Sequence, residues 1–253
     1  MTTDTPTSTD IVHADTTLAD LVTAAPRLAP LLGELGLDFC CGGRRTLAAA
    51  CAEAGIALDD TRERLTAALA APEAPDPAVL DLRGLGPAAL VDHLEATHHR
   101  YLHAELEPLA ALAAKVAAVH GERHPELRDV AATVDALRAD LEPHLAKEER
   151  ILFPMIRELA AAAEAPAFHC GTLANPIRVM EADHDRAGEL LADLRRLTDD
   201  YAPPADGCAS YRDLYARLAR LEADTHLHVH AENNLLFPAV VALEADRRAQ
   251  LPG

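Results

Sequence analysis

Tryptophan is absent from this chain of 253 residues, and Phe and Tyr number only four each. Ala, Leu, Glu and Arg dominate instead. Side chains of that kind lose little rotamer freedom in a helix, so the bias favours helices. Basic residues are also scarce, 23 Lys and Arg against 41 Asp and Glu, for a formal net charge of -18. Such a surface repels phosphate backbones and anionic lipid, which argues against nucleic-acid and membrane partners. No apolar run approaches the roughly 20 residues that a membrane-spanning helix requires. The first ten residues, MTTDTPTSTD, have neither a basic start nor an apolar core, so no signal peptide is expected. The expected compartment is the cytosol, where thiols stay reduced. The five Cys then read as thiols and not as a disulfide framework. Thirteen His in an acidic chain hint at metal.

What is present divides the chain. Residues 1–15 are polar and expected to be disordered. From Thr16 to about Ala71, short helical patterns are interrupted by Pro26, Pro30 and the DFCCGG stretch at 38–43, which predicts a small helical domain over 16–71. Residues 72–87, with Pro72, Pro75, Pro77, Pro87, Gly84 and Gly86, read as a linker. Four helical runs follow, over about 88–119, 126–164, 176–200 and 210–247. Gly121 ends the first, Pro125 and Pro176 suit the first turns of the second and third, and Asn175 is the expected N-cap before Pro176. The fold class is therefore all-α: an antiparallel four-helix bundle over 88–247, preceded by the small helical domain.

The second and fourth runs share a spaced identity. Asp140, His144, Glu148, Leu152, Phe153 and Pro154 recur 84 residues later as Asp224, His228, Glu232, Leu236, Phe237 and Pro238. A four-residue step keeps Asp, His and Glu on one helix face, and the closing Leu-Phe turns that face inward. A charged inward stripe is costly unless something pairs with it. One H-x3-E is commonly a solvated i,i+4 pair. Two matched copies from antiparallel helices are what a buried dinuclear metal needs. The Asp that precedes each His by one turn is then expected to hold the imidazole without touching metal.

The other two runs should complete the set. His184 is the sole His of the third run, whereas the first offers His93, His98, His99 and His103. The repeat alone leaves His98 and His99 open. His226 and His230 also form an i,i+4 pair, but their counterparts in the repeat are Glu142 and Ala146, so both are expected to face outward. Four imidazoles and two carboxylates suit a higher-coordinate di-iron or di-manganese centre better than tetrahedral zinc. The order His before Glu differs from the Glu-x-x-His of ferritin-like sites.

The stretches GLDFCCGG, HHRYLHAELEPL, HLAKEERILFP, EADHDRAGELL and HVHAENNLLFP together resemble the hemerythrin-like superfamily. More closely, the chain over 16–243 looks like the iron–sulfur cluster repair di-iron proteins, the repair-of-iron-centres family. The resemblance favours His99 over His98. It implies two non-haem irons, oxo-bridged, on His99, His144, Glu148, His184, His228 and Glu232, with Glu148 and Glu232 bridging and Asp140 and Asp224 behind the ligands. Oxygen-carrying hemerythrins pair two His four residues apart on the third helix; here Gly188 stands at that step, which implies one fewer imidazole and an open position.

The same resemblance implies repair of iron–sulfur clusters damaged by nitrosative or oxidative stress, by iron donation or di-iron redox chemistry. Its partners would be damaged iron–sulfur proteins and small ligands such as nitric oxide or oxygen, with a homodimer left open. A di-iron nitric oxide reductase or peroxidase, and a hemerythrin-like oxygen or iron sensor or store, are the competing readings. Cys40 and Cys41 read either as small buried side chains turning into Gly42–Gly43 or as a thiol pair acting as a relay, Gly42–Gly43 allowing close backbone approach. Cys170 is a weaker candidate of that kind, Cys51 sits in an Ala-rich helix and is expected in the core, and Cys208 has no assigned role.

Overall fold

The computed structural model describes residues 11–71 and 82–249. The helical class is as expected: among the described residues the only β contact is an isolated bridge between Thr17 and Thr46. Residues 1–10 of the expected disordered N-terminus, and 72–81 of the expected linker, lie outside the described residues. Residues 11–15 depart from the expectation of disorder. Val12 is buried, and its carbonyl accepts from Arg62 Nε at 3.2 Å. The chain divides into two compact units, Met1–Leu85 with Val229–Leu235, and Gly86–His228 with Leu236–Gly253.

The first unit carries α1 (Leu18–Ala24), α2 (Ala29–Glu34), α3 (Leu47–Ala54) and α4 (Leu58–Ala70). Thr17 and Thr46 cap α1 and α3, each hydroxyl accepting from the amide three residues on, as Ser and Thr caps do. Pro26 opens a short 3-10 turn into α2. Gly55, at φ +69, closes α3 in the left-handed conformation that glycine adopts without penalty. Leu18, Leu21, Leu28, Leu32, Leu47 and Leu65 are wholly buried. Burial of each is worth roughly 1.5–3 kcal/mol.

From Pro87 onward the chain forms four helical runs. The first joins α5 (Pro87–Leu94) to α6 (Arg100–His120), and the second joins α7 (Glu126–Lys147) to α8 (Phe153–Ala161). The third is α9 (Ala174–Leu197), and the fourth joins α10 (Ala209–Ala231) to α11 (Phe237–Ala249). Within the runs, the joins are single π-helical turns, Glu95–His99, Glu148–Leu152 and Glu232–Leu236. Two of them have a cause in the repeat. Pro154 and Pro238 follow two residues after their π turns; each lacks an amide hydrogen, and its ring would collide with the carbonyl four residues back, on Arg150 or Asn234. Widening the helix there relieves both problems. A core of Leu102, Leu109, Val130, Leu137, Leu194, Leu214 and their neighbours fills one end of the second unit.

The third helix begins two residues earlier than expected, and Asn175 is not its cap: its amide donates to the Cys170 carbonyl at 2.8 Å. Glu244 of α11 performs the capping. It is buried, accepts from the Leu173 amide at 3.1 and 3.3 Å and from Thr172 Oγ1 at 2.6 Å, and pairs with Arg248 at 2.8 Å. A carboxylate at a helix N-terminus satisfies orphan amides and complements the dipole. Glu244→Ala should therefore lower stability by about 1–3 kcal/mol, read as a fall in the urea midpoint. An unchanged midpoint would remove the cap from the account of the fold.

Candidate metal centre

Two buried carboxylates organise the site. Glu148 and Glu232 each open a π turn and show no solvent exposure. His99 closes the third π turn, so every π turn contributes one of the residues gathered here. The described residues form two groups whose ligating atoms lie within 4.8 Å of one another: His99, Glu148, His228 and Glu232, and His144, Glu148, His184 and Glu232. Both groups share the Glu pair. The four imidazoles are all but buried, at 1% to 2% exposure. Glu148 Oε2 lies 3.3 Å from His144 Nε2, 3.4 Å from His99 Nε2 and 4.0 Å from His228 Nε2. His144 Nε2 and His184 Nε2 stand 3.2 Å apart.

That donor set fits a pair of cations. Ionised carboxylates in an apolar interior carry a desolvation cost of several kcal/mol each. Neutral imidazole nitrogens converging on shared carboxylate oxygens give N/O coordination to two ions at once. His98 is not among the gathered residues. Its Nδ1 bonds Asp224 Oδ1 at 3.0 Å, and its ring stacks on that of His228, with centroids 5.6 Å apart.

The side chains behind the imidazoles differ from expectation. Asp140 does not serve His144; it pairs with Arg186 across to the third helix. Asp224 holds His98. The acceptors are instead Glu149, 3.0 Å from His99 Nδ1 and 2.7 Å from His103 Nε2, and Asp183, 3.4 Å from His144 Nδ1 and paired with Lys147. Acceptors on the second ring nitrogen fix its tautomer and aim. Burial pushes the Glu149 carboxyl up, but the hydrogen bonds from His103 and His99 outweigh it and the group lies below its ordinary range. Asp183 behaves likewise: burial raises it, Lys147 and His144 lower it, and the net direction is down. The repeated Phe residues pack on the imidazoles of the unrepeated helices. Phe153 lies 5.2 Å from His99 and Phe237 lies parallel to His184 at 6.1 Å.

His230 does not face outward as expected. It is buried, with Nε2 3.0 Å from Thr23 Oγ1 and its ring edge-on to Phe39. His226 is half-buried. Asn234, on the same segment, donates to the Cys40 carbonyl at 3.0 Å. At Gly43, a Cβ would stand 2.5 Å from the Phe39 carbonyl oxygen and 2.7 Å from Asn234 Oδ1, so this position admits only glycine. Within the loop, Asp38 accepts from the amides of Cys40, Cys41 and Gly42 at 2.8 to 3.1 Å. Asp38, Cys40 and Cys41 form a third group able to hold a cation. The Cys40 thiol lies well above its ordinary range, first through its hydrogen bond with Cys41, then through burial and the negative charge of Cys41 and Asp38.

A helical bundle burying paired His–Glu stripes around shared carboxylates belongs to the class of helical metal-binding proteins. Residues 90–240 match the family described as the hemerythrin HHE cation binding domain, and residues 14–69 match ScdA_N, a domain of unknown function. The iron-sulfur cluster repair protein YtfE of Musicola paradisiaca (strain Ech703) is 37% identical over 235 residues, covering 92% of this chain and 99% of that protein. The proteins of the same name from Salmonella paratyphi B (strain ATCC BAA-1250 / SPB7) and Salmonella newport (strain SL254) are each 32% identical over 234 residues, covering 92% of this chain and all of theirs. The chain belongs to the hemerythrin HHE family and, within it, to the YtfE family of iron–sulfur cluster repair proteins.

His99→Ala should strip far more metal than His98→Ala, as read by metal analysis of the purified variants. Equal losses would place His98 in the site. Glu149→Gln and Asp183→Asn should each weaken Fe(II) affinity by roughly tenfold in chelator competition, with Asp140→Asn near wild type. The reverse ranking would restore Asp140 to the role expected from the sequence.

Proposed function

We propose that this chain restores damaged iron–sulfur clusters through a dinuclear iron centre. His99, His228, Glu148 and Glu232 would hold one ion, and His144, His184 and the same two Glu the other, so that the carboxylates bridge. The observation that carries this reading is the sharing of Glu148 and Glu232 by both four-residue groups. The printed names of the relatives support the repair activity. When bound, the iron pair supplies redox change and exchangeable metal.

The chain's own residues set how that pair is used. Glu149 and Asp183 keep the lone pairs of His99 and His144 turned inward by accepting from their Nδ1 atoms. Phe153 and Phe237 wall the site with apolar rings and exclude water from the imidazoles they cover. Gly188, one turn beyond His184, brings no side chain to the position where hemerythrins carry a further His, and a Cβ there would meet nothing within 4 Å. With iron held by the neighbouring His and Glu, the space left there would admit a small ligand such as nitric oxide or oxygen.

Cys40 and Cys41 act as a thiol relay to the client, a damaged iron–sulfur protein. Cys40 holds its proton until a metal or nitrosyl group displaces it, because the hydrogen bond with Cys41, then burial and neighbouring negative charge, disfavour the free thiolate. The compartment is the cytosol. Two observations support it: the five Cys are free, and among the described residues no helix is long and apolar enough to cross a membrane.

Protein from iron-replete cells should carry two irons per chain and restore activity to a dehydratase whose cluster has been destroyed by nitric oxide. A lone zinc, or catalytic turnover of nitric oxide to nitrous oxide without cluster repair, would overturn the reading. Cys40→Ser with Cys41→Ser should keep both irons while losing repair activity. Full activity in that variant would return the pair to a structural role.

A further inference from the structure

Cys208 lies at the end of the second unit opposite the metal centre. Its neighbour His120 ends α6, 21 residues beyond His99, which is about 31 Å of helix at 1.5 Å per residue. His120 is more than nine-tenths buried, yet its Nε2 stands 3.1 Å from the Cys208 sulfur. Among the described residues its Nδ1 has no hydrogen-bond partner. The Tyr211 ring meets it edge-on at 5.5 Å, which holds the imidazole plane in place. The nearby His124 is engaged elsewhere, with Asp206 at 3.1 Å and Glu126 at 3.3 Å, and does not compete for the sulfur. Cys208 itself is exposed.

The local backbone adds a second influence. Cys208 immediately precedes α10, and its carbonyl accepts from the Arg212 amide at 3.1 Å, so the sulfur is carried at the N-terminus of a 23-residue helix. Unpaired amides and the positive end of the helix dipole favour negative charge there. An imidazole beside a thiol, at a helix start, in an accessible position, is the environment in which cysteines react. The other thiols contrast with it. Cys51 and Cys40 are buried, Cys41 is half-buried and hydrogen-bonded with the Cys40 thiol, and Cys170 is half-buried with no side chain hydrogen-bonded to its sulfur among the described residues.

We propose that Cys208 and His120 form a reactive thiol–imidazole pair, a modification site for hydrogen peroxide that is independent of the metal centre. With its proton on Nδ1, His120 takes the thiol proton at Nε2 as sulfur attacks one peroxide oxygen. The S–O bond forms as the O–O bond breaks, and the sulfur is oxidised by two electrons to a sulfenic acid. The departing hydroxide recovers the proton from His120 and leaves as water. One thiol and one hydrogen peroxide thus give one sulfenic acid and one water.

The test uses the full-length, metal-loaded protein and reads each cysteine by peptide mass spectrometry. With limiting iodoacetamide, Cys208 should be alkylated about tenfold faster than Cys170, and His120→Gln should lower its rate by about the same factor while leaving Cys170 unchanged. After one equivalent of hydrogen peroxide, dimedone should label Cys208 in wild type and not in His120→Gln. A Cys208 rate no greater than that of Cys170, or one indifferent to His120→Gln, would overturn the proposal. Should His120→Gln fail to fold, wild type alone decides. The native advantage of Cys208 over Cys170 must vanish in urea, and an advantage that persists there would belong to local sequence and not to His120.

Discussion

Everything in the bundle answers to two carboxylates placed where water cannot reach them. Glu148 and Glu232 have no exposure, and an apolar interior tolerates such groups only beside partners that offset their lost hydration. The partners arrive from all four helical runs. His99 comes from the first, His144 from the second, His184 from the third and His228 from the fourth. Around them, Glu149 and Asp183 hold two of the imidazoles, and Phe153 and Phe237 cover two with apolar rings. The Leu and Val core at the other end of the unit supplies the packing against which this polar cluster is held.

The helical class, the four runs and the repeated His144, Glu148, His228 and Glu232 were legible because they rest on periodicity, whereas His184 followed from being the sole His of its run and His99 from the family resemblance. An apolar pattern of 3.6 residues and a doubled H-x3-E are local facts, and a helix projects them faithfully. What lay outside that reach was everything decided between helices. Asp140 sits one turn before His144, as a supporting acceptor would, yet Arg186 of the third helix claims it and Asp183 takes its place. Spacing along one helix says nothing about the charge standing opposite. Glu149, the residue behind His99, is adjacent to Glu148 in sequence and is off its face in a regular helix; only the π turn and the neighbouring run bring it to His99.

His230 failed for a related reason. Comparison with Ala146 and Glu142 placed it on an outward face, but an outward face of one helix can be covered by a segment two hundred residues away in sequence. Thr23 and Phe39 do so, and burial pushes the imidazole below its ordinary range. The signal was present in the sequence in one form: the repeat breaks at that position, His where its partner copy has Ala. A departure from internal symmetry marks a place where the two halves meet different surroundings.

The π turns give the helices a property that ordinary helices lack. Each holds one residue more than the regular spiral would, and every side chain beyond it is rotated by about 100° relative to an uninterrupted helix. The three runs that carry these turns are therefore each composed of two segments with different azimuths. Their lengths in residues are fixed by that phase relation and not by the span they cover. A one-residue deletion at Arg150 or Asn234 would leave a longer, more regular helix, and it would swing Phe153 or Phe237 away from the ring it covers. In this architecture, insertions and deletions that loops absorb elsewhere act on the site as rotations.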